Sequence, residues 1–175
     1  MANYDVIVNL DFNDMYLATL TMKKVQRAVE RGVEKGVEEL AIRMKEKMIE
    51  FMGEYTLKDG DTLASSRLAQ TINILPQATG IKIEVGGEYA TFVEYGTGIV
   101  GSRDPHPMPD GWVYDPKGYG EDGWSYIKEN GKVGWTAGQS SKPFVYRTWL
   151  WARRSVHNIV MKNVRQELKK VRGVR

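Results

Sequence analysis

The sequence predicts an α+β fold in which a long N-terminal helix and a C-terminal helix pack on a small antiparallel sheet. Apolar residues recur at helical spacing through residues 20–52 and again after Pro143, and residues 81–85 alternate as a strand does. We expect one domain. Its predicted parts are an extended arm or short strand (1–19), a body of helix and hairpin (20–98), a long glycine- and aromatic-rich insertion (99–142) and a basic helix (143–175).

The composition excludes several kinds of site. The 175 residues carry a net charge of +3 and include no cysteine, which excludes a disulfide framework, a thiolate zinc site and a cysteine nucleophile. Neither His106 nor His157 has a second histidine or a carboxylate at ligand spacing, so no metal is expected. The sequence lacks a phosphate-binding glycine loop, and we expect no cofactor and no small-molecule substrate. No segment approaches the roughly 20 apolar residues of a membrane span.

The N-terminal helix is the clearest element. Residues 6–10 alternate weakly, which predicts a short strand or an arm before it. The helix is predicted from Leu20 to Met52, with Thr21 as its N-cap and Gly53 at its end. Its predicted apolar face consists of Val25, Val29, Val33, Val37, Leu40, Met44, Met48 and Phe51.

Two glycines, Gly32 and Gly36, lie inside this helix. Each costs a helix about 1 kcal/mol relative to alanine. Residues four apart lie on one helix face. We therefore predict that another backbone approaches the helix closely along the stripe that these two glycines form.

A β-hairpin is predicted after the helix. Residues 53–61 are predicted as a loop and residues 63–69 as a short helix. A β-prone run (71–75) and a strictly alternating run (81–85) flank a turn at Pro76–Gly80. The inner face of the second strand, which should lie against the long helix, consists of Ile81, Ile83 and Val85.

The stretch YATFVEYGTG, residues 89–98, follows the hairpin and is either a short helix or another strand. Its two glycines predict a turn with backbone angles that other residues resist. Glu94 is the one carboxylate in this aromatic context, and two roles are open to it. A structural ion pair or a hydrogen bond to turn amides is favoured over an acid–base role. The turn motif consists of Tyr89, Glu94, Tyr95, Gly96, Thr97 and Gly98.

The insertion begins with a proline-rich stretch, Ser102–Gly111, which is predicted to be irregular. Residues 124–127 and 133–135 then form a hairpin around an Asn130–Gly131 turn. Aromatic residues on such a hairpin either pack on the domain or form a surface for a partner. The candidate partner interface consists of Trp112, Tyr114, Trp124, Tyr126, Trp135, Phe144, Arg153 and Arg154.

The C-terminal helix is predicted from Pro143 to about Val171, with Ser141 as a cap. Two apolar lines are visible on it. The preferred one is Val145, Trp149, Val156, Val160, Val164, Leu168 and Val171, and the other runs through Phe144, Thr148, Trp151, Ser155 and Ile159. From Arg153 to the end the chain carries eight Lys or Arg and one Glu, a net +7. This basic stretch is either a solvated face or a contact for an acidic protein or nucleic acid.

Two motifs resemble a family of small neck and tail-completion proteins of long-tailed bacteriophages, often called minor tail components. The first is Y-A-x-F-V-E-Y-G-T at residues 89–97, and the second is W-T-x-G-Q-x-x-x-P-F-x-Y at residues 135–146. The matching residues are Tyr89, Ala90, Val93, Glu94, Tyr95, Gly96 and Thr97, then Trp135, Thr136, Gly138, Gln139, Pro143, Phe144 and Tyr146. The order of predicted elements extends the resemblance over most of the chain.

The resemblance implies a structural virion protein without catalysis, located at the neck or the head-proximal end of the tail. It implies partners of three kinds: copies of the chain in a ring, the neighbouring connector and tail-tube proteins, and DNA in the channel through non-specific contact. A rival interpretation is a small DNA-associated regulatory or packaging protein that uses the basic helix. A third is an enzyme with Glu94 as its acid or base, for which no partner residue is visible.

Overall fold

The computed structural model describes residues 12–59, 68–77, 80–86, 90–128 and 130–172. It confirms the α+β fold, with two long helices and two small antiparallel sheets. In chain order the elements are α1 (Phe12–Asp59), β1 (Ile72–Gln77), β2 (Gly80–Val85), α2 (Ala90–Tyr95), α3 (Gly98–Arg103), β3 (Trp124–Ile127), β4 (Val133–Thr136), β5 (Gly138–Gln139) and α4 (Phe144–Arg172).

Residue contacts divide the chain into two compact units. The first is formed by the described residues of Met1–Glu39 and Val156–Arg175, which are segments of α1 and α4. The second is Leu40–Ser155, which holds both hairpins, α2, α3 and the remaining parts of the long helices. That the chain folds as one domain stays a prediction.

In the first unit the two helix segments run antiparallel along the glycine stripe. A Cβ added to Gly32 would lie 2.5 Å from Val164 Cα, and one added to Gly36 would lie 2.7 Å from Val160 Cα. Carbon atoms normally approach to about 3.5–4.0 Å. The predicted close approach of another backbone is therefore confirmed, and that backbone belongs to α4.

The buried face of this half of α1 differs from the predicted one. Val25, Val29 and Val33 are 36–40% exposed, whereas Ala28 is fully buried together with the two stripe glycines. The reason is that small residues let α4 approach closely, which leaves the neighbouring valines at the edge of the contact. Farther along, Met48 is buried as predicted.

Helix α1 begins nine residues before the predicted N-cap. Thr21 lies inside the helix, where its hydroxyl donates to the Leu17 carbonyl at 2.9 Å. Residues 15–20 include several good helix formers, so nothing in the chain prevents the helix from starting at Phe12. The strand or arm predicted at residues 6–10 lies outside the described residues.

Helix α1 also continues through Gly53 to Asp59, so the loop predicted to begin at residue 53 is wrong. Met52 and Tyr55, on either side of the glycine, belong to or pack against the core of the second unit. Their packing outweighs the cost of one helical glycine, which is about 1 kcal/mol. Most of the short helix predicted at 63–69 lies outside the described residues.

The first hairpin forms as predicted, but its turn is shorter. Strand β1 pairs antiparallel with β2, and the register includes Pro76 opposite Ile81 and Gln77 opposite Gly80. Only residues 78–79, which the structure does not describe, separate the two strands. The predicted five-residue turn is therefore replaced by a two-residue connection.

The core of the second unit lies between α1, the first hairpin and the start of α4. It consists of Met48, Met52, Leu68, Ile72, Ala90 and Phe144. Ile83 and Val85 pack against it, which confirms the predicted inner face of β2 for these two residues. Burial of each large apolar side chain contributes about 1.5–3 kcal/mol.

The second hairpin forms at the residues where the sequence predicts it. Strand β3 pairs antiparallel with β4, with Trp124 opposite Thr136 and Ile127 opposite Val133. Gly131 has a φ of 76°, and the Asn130 side chain accepts from the Lys132 backbone N–H at 3.1 Å. Gly131 supplies the left-handed conformation that this turn requires, and Asn130 stabilises the turn through its side chain.

Helix α4 buries a composite of the two predicted lines. In its first half the line that was not preferred is buried, with Phe144 and Thr148 at 1% and 0% exposure, whereas Trp149 and Val156 are 43% and 39% exposed. Farther along, Val164 is buried as the preferred line predicts. The first half follows the core beside β1, and the second half follows the glycine stripe of α1, so no single stripe serves both.

Candidate functional site

The first part of the YATFVEYGTG stretch is helical rather than extended, and Tyr89 of the turn motif lies outside the described residues. Residues 90–95 form α2, and Gly96 and Gly98 follow with φ of 81° and 63°. A Cβ on Gly96 would lie 2.7 Å from the Ser141 backbone N and 2.8 Å from Gln139 O. Glycine is therefore required here both for its backbone angle and for the space it leaves to the chain opposite.

The chain opposite is the second motif, so the two motifs form one structural unit. Bridges join Thr97 to Gln139 and Gly98 to Gly138 in antiparallel register. The Gln139 side-chain amide donates to the Phe92 carbonyl at 2.9 Å. Residues far apart in sequence thus close the base of the insertion.

Glu94 caps the N-terminus of α4. Its carboxylate accepts backbone N–H bonds from Val145 at Oε2 and from Tyr146 at Oε1, both at 2.9 Å. The side chain is buried, and the helix N-terminus stabilises its negative charge. Ser141, the predicted cap, instead donates from its hydroxyl to the Glu94 backbone carbonyl at 2.7 Å.

His106 completes the coordination of this carboxylate. Its Nε2 lies 3.1 Å from Glu94 Oε1, and because a carboxylate only accepts, Nε2 carries the proton. Its Nδ1 lies 2.8 Å from the Met108 carbonyl oxygen and 3.0 Å from the Met108 backbone nitrogen, and the His106 backbone N–H donates to the Tyr114 hydroxyl at 2.9 Å. The side chain is 3% exposed.

Aromatic rings enclose the pair. Tyr95 lies 4.5 Å from the His106 ring, and Tyr146 lies 5.4 Å from it edge-on. Trp112 stacks on Tyr95 at 5.2 Å and donates its indole N–H to the Gly96 carbonyl at 3.0 Å. With both carboxylate oxygens bonded and the rings packed around them, the geometry fits the structural interpretation of Glu94 better than the acid–base one.

A cavity of about 580 Å³ lies beside this pair, and neither Glu94 nor His106 lines it. We call it the aromatic cavity. Its aromatic lining consists of Phe92, Trp112, Tyr114, Tyr119 and Trp124. Thr97, Asp115, Lys117 and Ser125 supply polar groups to the same lining.

The predicted partner interface is only partly available at the surface. Trp112, Tyr114 and Trp124 are half-buried and line the aromatic cavity. Tyr126 and Trp135 are 45% and 61% exposed. Arg153 and Arg154 are exposed, and the Arg153 guanidinium lies 4.8 Å from the Trp149 ring. The prediction that Phe144 belongs to the partner interface is wrong. At 1% exposure this residue is part of the core and offers no surface to a partner.

An exposed apolar face on the second hairpin was not predicted. Ile127 and Val133 are paired across the strands, and they are 79% and 73% exposed. They share this face with Trp135, which donates its indole N–H to the Asp122 carbonyl at 2.8 Å. The strand period of two would have placed all three on one face once the hairpin register was known.

Within the described ranges, no group of three or more histidine and carboxylate side chains is arranged to hold a metal ion. None of the helices in that part of the chain combines the length and apolar character needed to cross a membrane. No family model matches the chain, and the searches of curated proteins and of solved structures found no match either.

Proposed function

We propose that this protein is a structural component of a phage virion that assembles as a homo-oligomeric ring at the neck or the head-proximal end of the tail. One observation carries the proposal. The two motifs on which the resemblance rests are joined in the structure, with Glu94 of the first capping the helix that begins in the second. The two motifs therefore belong to one structural unit. This is what we expect if both are features of a single protein family.

Exposed apolar side chains support an assembling protein. Near the start of α1, Phe12, Tyr16 and Met22 are 88%, 64% and 73% exposed, and Ile127 and Val133 are exposed on the second hairpin. Large apolar groups at a surface are typical of interfaces between proteins. In this proposal they contact neighbouring copies and the connector and tail-tube proteins.

The basic C-terminal helix would meet acidic surfaces of the connector or the DNA in the channel. Lys162 forms an ion pair with Glu39, and Lys170 forms one with Glu167. Part of the positive charge of α4 is therefore neutralised within the helix pair. Arg153 and Arg154 are exposed and are the side chains we expect to contact a partner.

The deciding experiment is negative-stain microscopy of a lysate from a phage that lacks this gene. Full heads beside separate tails of normal length would identify a joining protein. Overlong tail tubes would identify the protein that ends the tail. Complete particles of normal shape would overturn the proposal, because a protein of this junction could not be dispensable.

A DNA-associated protein is the second candidate, and one observation favours it. Arg153, Arg154, Arg165 and Lys169 are exposed, and the described residues provide no ion-pair partner for them. Phosphate contacts release counterions, so affinity for duplex DNA should then fall steeply as salt rises. Binding that is absent, or that is insensitive to salt, would remove this candidate.

A further inference from the structure

We propose that the aromatic cavity binds the proline segment of a second copy of this chain. The proline segment is residues 104–110, Asp-Pro-His-Pro-Met-Pro-Asp. The inference rests on the proposed function, in which copies contact one another, and it identifies one of those contacts. It is drawn from the complementarity between two features of the same molecule.

The walls of the cavity are two aromatic pairs. Phe92 and Trp112 meet edge-on with ring centroids 5.8 Å apart, and Tyr119 and Trp124 meet at a tilt, also 5.8 Å apart. Aromatic-lined grooves are one of the recurring sites at which proteins bind proline-rich segments. The volume of about 580 Å³ lies within the range of pockets that hold ligands.

Two polar groups of residues that line the cavity have no partner among the described residues. Of the three tryptophans in the insertion, Trp112 and Trp135 donate their indole N–H groups to backbone carbonyls, whereas that of Trp124 has no acceptor among the described residues. The ammonium of Lys117 likewise has no carboxylate partner in those parts of the chain. The site therefore offers a hydrogen-bond donor for a peptide carbonyl and, at Lys117, a positive charge for an acid. Asp115, the acid in the same lining, is already bonded to the Tyr119 and Gly120 N–H groups.

The proline segment presents the matching groups. Pro105, Pro107, Met108 and Pro109 are exposed, so their apolar surface is available to a partner. Exposed acids, Asp104 and Asp110, stand at its two ends and would pair with Lys117. Methionine sulfur also contacts aromatic rings favourably.

The segment is already held in shape before binding. His106, at its centre, is buried, and its Nδ1 contacts the Met108 backbone, 2.8 Å from the carbonyl oxygen and 3.0 Å from the nitrogen. Prolines restrict the backbone further. A preorganised segment loses little conformational entropy on docking, which favours its use as a contact.

The occupant must come from another copy. None of residues 104–110 lines the cavity of its own chain, although Gly111 does. A tight turn at Asp110 and Gly111, with φ of 36° and 80°, is closed by a 2.7 Å bond from the Trp112 N–H to the Pro109 carbonyl. That turn would have to open before the segment could reach its own cavity.

Disulfide trapping tests this contact directly, since the chain has no cysteine of its own. Asp104→Cys protein that carries a size tag is mixed with untagged Lys117→Cys protein, oxidised mildly and resolved on a non-reducing gel. The tag gives the mixed disulfide its own band between the two homodimers, and that band reports contact between copies. Lys128→Cys is the matched control for Lys117→Cys, because Lys128 is also exposed and does not line the cavity. We expect the Asp104–Lys117 pair to give about tenfold more mixed disulfide than the Asp104–Lys128 pair. Equal yields would overturn the proposal.

The second experiment exchanges the charges of the two residues and measures self-association by sedimentation velocity. Asp104→Lys and Lys117→Asp should each weaken self-association about tenfold, and the double variant should restore it. If the unmodified chain self-associates but neither the charge exchange nor the trapping is selective, this contact is wrong while the proposed assembly stands. A chain that stays monomeric at every concentration, with no selective trapping, would overturn the contact and count against the ring as well.

Discussion

Replacing Gly36 by alanine should destabilise the helix pair of the first unit, although alanine is the better helix former. A methyl group at this position would lie 2.7 Å from Val160 Cα, 3.2 Å from its Cγ2 and 3.3 Å from its Cβ. Normal carbon contacts are about 3.5–4.0 Å, so the two helices must separate by roughly 1 Å.

The magnitude follows from two opposing terms. Alanine gains about 1 kcal/mol of helix propensity. Forcing an extra methyl into a close-packed contact costs about 1–3 kcal/mol. We therefore expect Gly36→Ala to lower the free energy of unfolding by up to about 2 kcal/mol. Gly32→Ala should behave alike, since its methyl would meet the Val164 Cα at 2.5 Å and the Val164 N at 2.9 Å.

Gly53→Ala is the matched control within the same helix. A Cβ at Gly53 meets nothing within 4 Å, so this variant should gain up to about 1 kcal/mol. Urea unfolding followed by far-UV circular dichroism measures both changes. A Gly36→Ala protein as stable as the Gly53→Ala protein would refute the close approach of the backbones. Because the nearest atom is the Val160 Cα, adding Val160→Ala should not restore stability.

Three further predictions concern single charged groups. Glu94→Ala should lower the free energy of unfolding by more than about 2 kcal/mol, because it leaves two helix amides and a buried histidine without their acceptor. Urea unfolding measures this loss. A loss under about 0.5 kcal/mol would contradict the capping role. Hydrogen bonds from Lys170 and Lys35 lower the pKa of Glu167 from 4.5 to about 2, so the stability they give is complete above about 4.5 and is lost as pH falls towards 2. In Glu167→Gln this acid-dependent loss, measured by thermal unfolding across that window, should be smaller, and an unchanged pH profile would contradict the assignment. Reversing both Arg153 and Arg154 to glutamate should leave the unfolding curve nearly unchanged but impair head–tail joining in a complementation assay, and unchanged infectivity would show that this end carries no contact.

The sequence predicted the elements that depend only on neighbouring residues, such as turns and alternating strands. The Asn130–Gly131 hairpin and the alternating strand at residues 81–85 formed where their turn chemistry and period placed them. The penalty of two helical glycines correctly predicted a backbone contact, because such a cost persists only where something offsets it. The identity of the contacting backbone was not predictable, since it depends on a helix more than a hundred residues farther along the chain.

The errors arose where packing overrides local preference. Gly53 has the chemistry of a helix end, but core contacts on both sides of it carry the helix onward. Ser141 has the chemistry of a cap, but a carboxylate 51 residues before Val145 takes that place. The partnership between Glu94 and His106 had no sequence signal either, because their spacing belongs to neither a helix nor a strand.

The choice of Glu94 over Ser141 as the cap has a consequence for the insertion. A local serine would fix only the first turn of α4, whereas a carboxylate carried by α2 fixes the start of α4 to the residues that open the insertion. The bridges at Thr97–Gln139 and Gly98–Gly138 close the same base from the other side. Because the entropic cost of closing a loop rises only slowly with its length, a base held this firmly tolerates a long and varied loop above it. Substitutions in the proline segment, the aromatic cavity or the second hairpin should therefore leave this base intact.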